Sequence, residues 1–264
     1  MRPHSKNGDG GFIDTSAAHV NIADTAKITT KANTGKTGTW IIDPADFTIA
    51  ASGGDTTGAA LSASLSNTGI TIFSTSGASG INGDININDV VNWSANTLTL
   101  NALRNININA NLIGSGTAKL ALLYGQASAT GGANDNYFIN GAKVNLPVGL
   151  SFFTQKGSNI ANLKTYNVIT SLGFAGDQGI GTVTLQGMAH PLNQTRNFVL
   201  GTDIDASATS TWNGGAGFVP IGSGATAWLI GSWRNPLVLI DTINICLINK
   251  DYQEGNLQKI RNVN

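Results

Sequence analysis

Charge is scarce in this chain. Only 11% of its 264 residues are Asp, Glu, Lys or Arg, against roughly 25% in an average soluble domain. The formal net charge is zero and the pI is near 6.8. That balance excludes the basic footprint that phosphate backbones and anionic membranes require, so no nucleic-acid partner is expected. A single cysteine, Cys246, excludes an internal disulfide framework and any multi-cysteine metal site. So few thiols are compatible with life outside the cell. No run of 18 apolar residues occurs. The most apolar stretch, Pro236 to Ile248, is broken by Asp241, Thr242 and Asn244, and no membrane span is expected. The first ten residues, Met1 to Gly10, carry no apolar stretch of signal-peptide length, so this chain is expected to lack a secretion signal of its own.

What keeps the surface wet is Asn, Thr, Ser and the 33 glycines, residues that favour turns and repetitive strand ladders over helices. The 41% hydrophobic content suffices for a core. Apolar residues come in short alternating bursts: Ile70-Thr71-Ile72, Ile85-Asn86-Ile87-Asn88, Leu98-Thr99-Leu100-Asn101 and Ile106-Asn107-Ile108-Asn109. Each puts aliphatic side chains on one face and Asn or Thr on the other, the pattern of a half-buried strand. Ile85 and Ile106 stand 21 positions apart, and Leu98 and Leu120 stand 22 apart. A period in the twenties marks stacked coils that bury a continuous core together. Without helical patterning between the strands, the expected fold is all-β, a right-handed parallel β-helix with projecting loops. Coils at strand spacing, about ten of them, would make a rod about 50 Å long. An antiparallel β-sandwich is the alternative, since it also has short strands punctuated by turns.

Asn stacked on Asn would form amide ladders, and Asn also suits coil corners. Ser52-Gly53-Gly54-Asp55 and Ser76-Gly77-Ala78-Ser79-Gly80 read as corners or small loops. Ala59 to Leu65 is the one plausible short helix, expected outside the coil stack. Four segments follow: shaft coils over 1–126; a less regular continuation over 127–200, with Gly131 to Asn136 as a loop and Tyr166 to Thr170 as a further strand; a repeat-like element over 201–232; and an atypical tail over 233–264. The tail holds Cys246, the only glutamate, Glu254, and Arg234, Lys250, Lys259 and Arg261.

Gly10-Gly11-Phe12-Ile13-Asp14-Thr15-Ser16, followed by Thr34-Gly35-Lys36-Thr37-Gly38-Thr39-Trp40-Ile41-Ile42-Asp43-Pro44-Ala45-Asp46-Phe47-Thr48-Ile49, resembles a stretch of filamentous haemagglutinin-like exoproteins of Gram-negative bacteria. The alternating stretch from Gly83 to Tyr124 is similar to that family's continuation. Gly201-Thr202-Asp203-Ile204-Asp205-Ala206 with Gly217-Phe218-Val219-Pro220-Ile221-Gly222 is similar to the opening of a GLUG-type repeat. The resemblance covers roughly residues 7 to 232. It implies a β-helical shaft of a large adhesin exported by two-partner secretion, with an outer-membrane secretion partner for the full-length parent. It also implies a secreted or cell-surface location and attachment to a host or environmental receptor or glycan. The chain is expected to be an internal fragment without the family's secretion domain. Where a GLUG-type repeat would continue, Gly231-Ser232 runs into Trp233-Arg234-Asn235-Pro236, which suggests a disrupted frame and a disordered or non-native tail.

Chemical motifs are weak. Thr34-Gly35-Lys36-Thr37 looks like the end of a phosphate-binding loop, but Thr30 stands where that motif needs glycine, and a turn between coils is the plainer reading. His4, His19 and His190 are too far apart for metal-ligand spacing; for His19 a pairing with Asp14 or Asp24 and a plain surface contact are equal alternatives. Asp203 and Asp205 alternate across a strand, as the acid and base of a β-helical glycosidase would, yet no acidic cluster accompanies them. Asp84, Asp89, Lys119 and Arg104 are scattered. Trp40, Trp93 and Trp212 are expected to pack against the shaft rather than stack on sugars. Asn92-Trp93-Ser94 and Asn193-Gln194-Thr195 fit a glycosylation pattern that chance explains in an Asn-rich chain. No catalytic, cofactor or metal site is assigned. The expected function is an adhesive, structural shaft and not an enzyme; the alternatives are a carbohydrate-active β-helix enzyme and a non-functional truncated gene product. Residues 1–232 expressed alone are expected to oligomerise or aggregate slowly, because an uncapped stack exposes strand edges.

Overall fold

The computed structural model describes residues 8–74, 83–193 and 195–217, together with the backbone of a two-residue strand at 259–260. His4, the Ser76 to Gly80 corner, Gln194 of the second sequon, the repeat-like element beyond Gly217 and, that strand apart, the tail lie outside the described residues. The chain forms two compact units, Met1–Ala142 with Phe152–Lys164, and Lys143–Ser151 with Thr165–Asn264.

The first unit holds β1 (Phe12–Ser16), β2 (Thr39–Asp43), β3 (Phe47–Ile49), α1 (Gly58–Leu65), β4 (Gly69–Ser74), β5 (Ile85–Ile87), β6 (Val91–Trp93), β7 (Thr97–Ala102), β8 (Ile106–Ile108), β9 (Leu112–Gly114), β10 (Lys119–Tyr124) and β11 (Tyr137–Ile139). Of the next strands, β12 (Val144–Asn145) belongs to the second unit, and β13 (Gly149–Lys156) gives its last five residues to the first. The strands form three parallel sheets. Sheet I runs β1-β2-β4-β7-β10-β13, sheet II runs β11-β8-β5-β3, and sheet III pairs β9 with β6. The chain visits them in rotation: β4, β5 and β6 lie in sheets I, II and III, and β7, β8 and β9 do the same again. Parallel neighbours cannot be joined by a hairpin. Here the connection between them runs through the other two sheets.

Alternation decides which side of each sheet is buried. In sheet I, Trp40 pairs with Ile70, Ile70 with Leu98, Leu98 with Leu120 and Leu120 with Phe152, all of them buried. In sheet II the buried column is Phe47, Ile85, Ile106 and Tyr137. In sheet III, Val91 lies beside Leu112. β-Branched and aromatic side chains suit a pleated, half-buried surface, and stacking like on like lets each fill the same space as its neighbour.

The 21-residue spacing of Ile85 and Ile106 and the 22-residue spacing of Leu98 and Leu120 are register partnerships. The spacing is not uniform, however. Phe47 to Ile85 and Ile106 to Tyr137 are longer steps in the same column, because chain is inserted at the connections. Closing a longer loop adds little entropy per residue, so the register survives the insertions.

α1 forms over almost the expected residues. Alanine and leucine favour it, and the Thr57 hydroxyl accepts from the Ala60 amide at 3.2 Å as its cap. It does not stand outside the core, as the sequence suggested. Leu61 and Leu65 are buried and the helix packs against β6 and β4. In the rotation it stands after β3, in the place of a strand of sheet III.

In the second unit β14 (Lys164–Ile169), which covers most of the expected strand, pairs in parallel with β15 (Phe198–Leu200). β16 (Ile204–Asp205) pairs antiparallel with β17 (Lys259–Ile260). A cluster of Ile169, Leu172, Leu185, Met188, Phe198 and Leu200 forms the core. Asn193 organises the preceding loop from within: its amide donates to the Gly179 and Gly187 carbonyls at 2.9 and 2.7 Å and accepts from the Gly181 N–H at 2.9 Å.

Replacing Ile106 with Ala removes the middle of a fully buried column and is expected to cost about 2–5 kcal/mol. Thr99→Ala, on the outward side of sheet I, should fall within about 0.5 kcal/mol of the parent. Urea unfolding followed by circular dichroism measures both, and equal effects would refute the assignment of faces.

Candidate functional site

Sheet II presents the most regular outward surface, and its columns follow from the same register that builds the core. The outward residues opposite one another are Thr48, Asn86, Asn107 and Phe138. Asn107 donates from its side-chain amide to the Asn86 side-chain oxygen at 2.9 Å. Two residues on, at the end of each strand, Asn109 donates to Asn88 at 2.7 Å and Asn140 donates to Asn109 at 2.7 Å. These are the amide ladders expected from the alternation. Phe138 replaces the amide in one column and is 40% exposed.

A third column precedes the strands and was not foreseen. Asp46, Asp84, Asn105 and Asn136 each stand immediately before the first residue of β3, β5, β8 and β11. Each of the first three offers a side-chain oxygen to the backbone of the next turn of chain. Asp46 Oδ1 accepts from the Gly83 and Asp84 amides at 2.6 and 3.1 Å. Asp84 Oδ1 accepts from the Asn105 amide at 3.1 Å, and Asn105 Oδ1 from the Asn136 amide at 3.0 Å. The corner between sheets I and II is therefore stitched by side chains where the strand ladder has not yet begun. The signal was present as Asp or Asn before each inward apolar residue, but the steps between them differ in length.

Arg104 joins this column. Its guanidinium grips Asp84 with two contacts, Nε to Oδ1 at 3.1 Å and Nη2 to Oδ2 at 2.9 Å. The hydrogen bond to Asp84 raises the Arg104 pKa above its ordinary value. Desolvation opposes this, and the charges of Asp84, Asp46 and Asp135 add to it. The Arg104 side chain is 41% exposed, so the pair is screened and contributes little to stability.

The other candidates are dispersed. Asp89 does not approach Lys119; its carboxylate accepts from the Gly58 amide at 2.8 Å, at the positive end of α1. Asp203 is paired with Lys143 at 3.0 Å and Asp205 accepts from the Ser207 amide at 2.9 Å. His19 is exposed, and the His190 Nδ1 accepts from the Leu192 amide at 3.2 Å. In the Thr34 to Thr37 turn, the Lys36 amide donates to Asp9 Oδ1 at 2.8 Å, and a strand follows rather than the helix a phosphate loop requires. Trp40 and Trp93 are buried in sheets I and III, the former donating to the Thr15 hydroxyl at 3.0 Å, and Trp212 packs against the core of the second unit. Asn193 is buried with its amide engaged, whereas Asn92 of the other sequon is exposed.

Among the described residues no group of three His, Cys, Asp or Glu is placed to hold a metal ion, and no helix is long and apolar enough to cross a membrane. No protein-family model, curated protein or solved structure matches the chain. Its surface has to be interpreted from its own chemistry. The sheet II face is neutral and rich in amides, each of which satisfies a neighbour and keeps a spare donor or acceptor for water or a ligand.

Asp84→Asn weakens the contact to Arg104, while Asp84→Ala also strips the acceptor from the part-buried corner amide of Asn105. The alanine variant is expected to lose about 1–2 kcal/mol and Arg104→Met less than about 1 kcal/mol. Asn109→Ala breaks two ladder contacts and should cost about 1–2 kcal/mol. Chemical denaturation of Asp84→Ala, Arg104→Met and Asn109→Ala tests the order, and a larger loss in Arg104→Met than in Asp84→Ala would refute it.

Proposed function

We propose that this chain is a stretch of parallel β-helical shaft from a large secreted adhesin of the filamentous haemagglutinin type, and that its role is structural and adhesive rather than enzymatic. The observation that carries the reading is the rotation of the strands through three parallel sheets in register. It supports a coil that repeats, and a repeating coil presents the same outward positions again and again. Many weak contacts along such a surface give attachment without any one residue dominating. The neutral amide columns of sheet II suit hydroxyl-rich or polar receptors better than phosphate or sulfate.

In this reading the full-length parent is exported through an outer-membrane secretion partner and displayed at the cell surface, where it meets a host or environmental receptor or glycan. The acidic residues support a non-enzymatic role, because Asp84, Asp89, Asp203 and Asp205 each have a structural partner.

The test is a binding screen of the purified full chain on glycan arrays and epithelial cell surfaces, with circular dichroism on the same sample. Saturable binding by a β-rich sample is the expected result, reduced at least threefold by replacing Phe138 and Asn107 with Ala. A folded sample that binds nothing would remove the adhesive part of the proposal and leave a spacer.

A further inference from the structure

Two of the three sheets in the first unit end against a single short stretch of chain. The outer edge of β3 is met by Asp55 and Thr56. The Asp55 amide donates to the Thr48 carbonyl at 2.8 Å, the Ala50 amide donates to the Thr56 carbonyl at 3.0 Å, and the Asp55 carboxylate accepts from the Thr48 amide at 2.7 Å. The outer edge of β6 is met by α1. There the Asn92 amide, which points away from β9, donates to the Ser62 hydroxyl at 2.9 Å instead of to a strand carbonyl. Asn96 adds a bond from its side chain to the Leu65 carbonyl at 2.6 Å. The fit is close, since a Cβ on Gly58 would run into the Val90 carbonyl oxygen.

The inner side of this stretch is apolar. Leu61 and Leu65 are 2% and 0% exposed, and beyond them lie the buried Phe47, Ile49, Val91 and Trp93 of the two end strands. Without the stretch, two short strands would expose unpaired amides and carbonyls above an apolar interior. That combination is what drives edge-to-edge pairing of sheets. Ser62 is the telling residue: a helix has no free backbone acceptor in mid-length, and a hydroxyl on the facing side supplies one where a strand would have offered a carbonyl.

We propose that residues 50–66 act as a built-in edge cap that blocks self-association at the β3 and β6 edges. The partner excluded is a second copy of this chain. Two identical edges brought together across a two-fold axis pair antiparallel, each satisfying the other's amides, and the contact is closed and self-complementary. The proposal concerns these edges alone and does not depend on the adhesive role.

Two full-length variants test it. L61D/L65D undocks the helix, and D55A/S62A removes only the two side-chain acceptors. Sedimentation velocity over a concentration series, with far-UV circular dichroism of the same samples, is expected to show a dimer forming at concentrations at least tenfold lower than for the parent. The effect should be larger in L61D/L65D. Adding Asn92→Pro, which deletes the edge donor of β6, should reverse most of it. Variants that stay β-rich and self-associate no more than the parent would overturn the proposal, as would association that Asn92→Pro leaves untouched. Should L61D/L65D lose its β signal, D55A/S62A decides the matter alone.

Discussion

In-register parallel pairing is the constraint on which the first unit depends. A strand slipped by one residue against its neighbour would turn its apolar residues outward and its amides inward. With Ile85 beside Ile106 and Asn86 beside Asn107, the same alignment that fills the core also closes the amide ladder. Burial and polar satisfaction thus select one register together. A displaced alignment loses both at once.

The connections obey the same constraint less visibly. A chain that turns from one sheet to the next leaves backbone amides that no strand can satisfy, and a buried unpaired amide costs about 1–3 kcal/mol. Asp46, Asp84 and Asn105 answer this at one corner, and Asn88, Asn109 and Asn140 continue their own column at the next. Loops of very different length are compatible with such corners, because only the residue entering the strand has to be placed. The chain inserted between Ile49 and β4 shows how far this goes: it contains a helix, yet β4 and β5 resume the columns of β2 and β3.

Much of this was legible in the sequence. Alternation located β4, β5, β7 and β8, the distances from Ile85 to Ile106 and from Leu98 to Leu120 named true partners, and the asparagines pointed to ladders. The helix was visible in Ala59 to Leu65, but its place was not, because its inward Leu61 and Leu65 acquire meaning only beside β6. The corner column escaped because its members are one residue each, spread over intervals of unequal length. Trp40 and Trp93 read correctly as packing residues, since each occupies an inward position of an alternating strand. The candidate chemistry was dispersed in the sequence and the fold does not gather it: Asp84 meets Arg104, but Asp89 is drawn away to the start of α1.

The near absence of glutamate has a physical reading in the same terms. Fourteen of the fifteen acidic residues are aspartate, and among the described residues Asp9, Asp46, Asp55, Asp84, Asp89, Asp135 and Asp205 accept a backbone amide. A carboxylate on one methylene reaches an amide of its own turn or of a neighbouring segment without swinging into solvent, which is also why Asp and Asn interchange along the corner column. A second methylene would carry the oxygen past that amide and add rotamer entropy to be lost. These carboxylates are therefore fasteners of the backbone before they are charges. In sheet II these aspartates stand where the backbone needs an acceptor, and the outward face is left to Thr48, Asn86, Asn107 and Phe138.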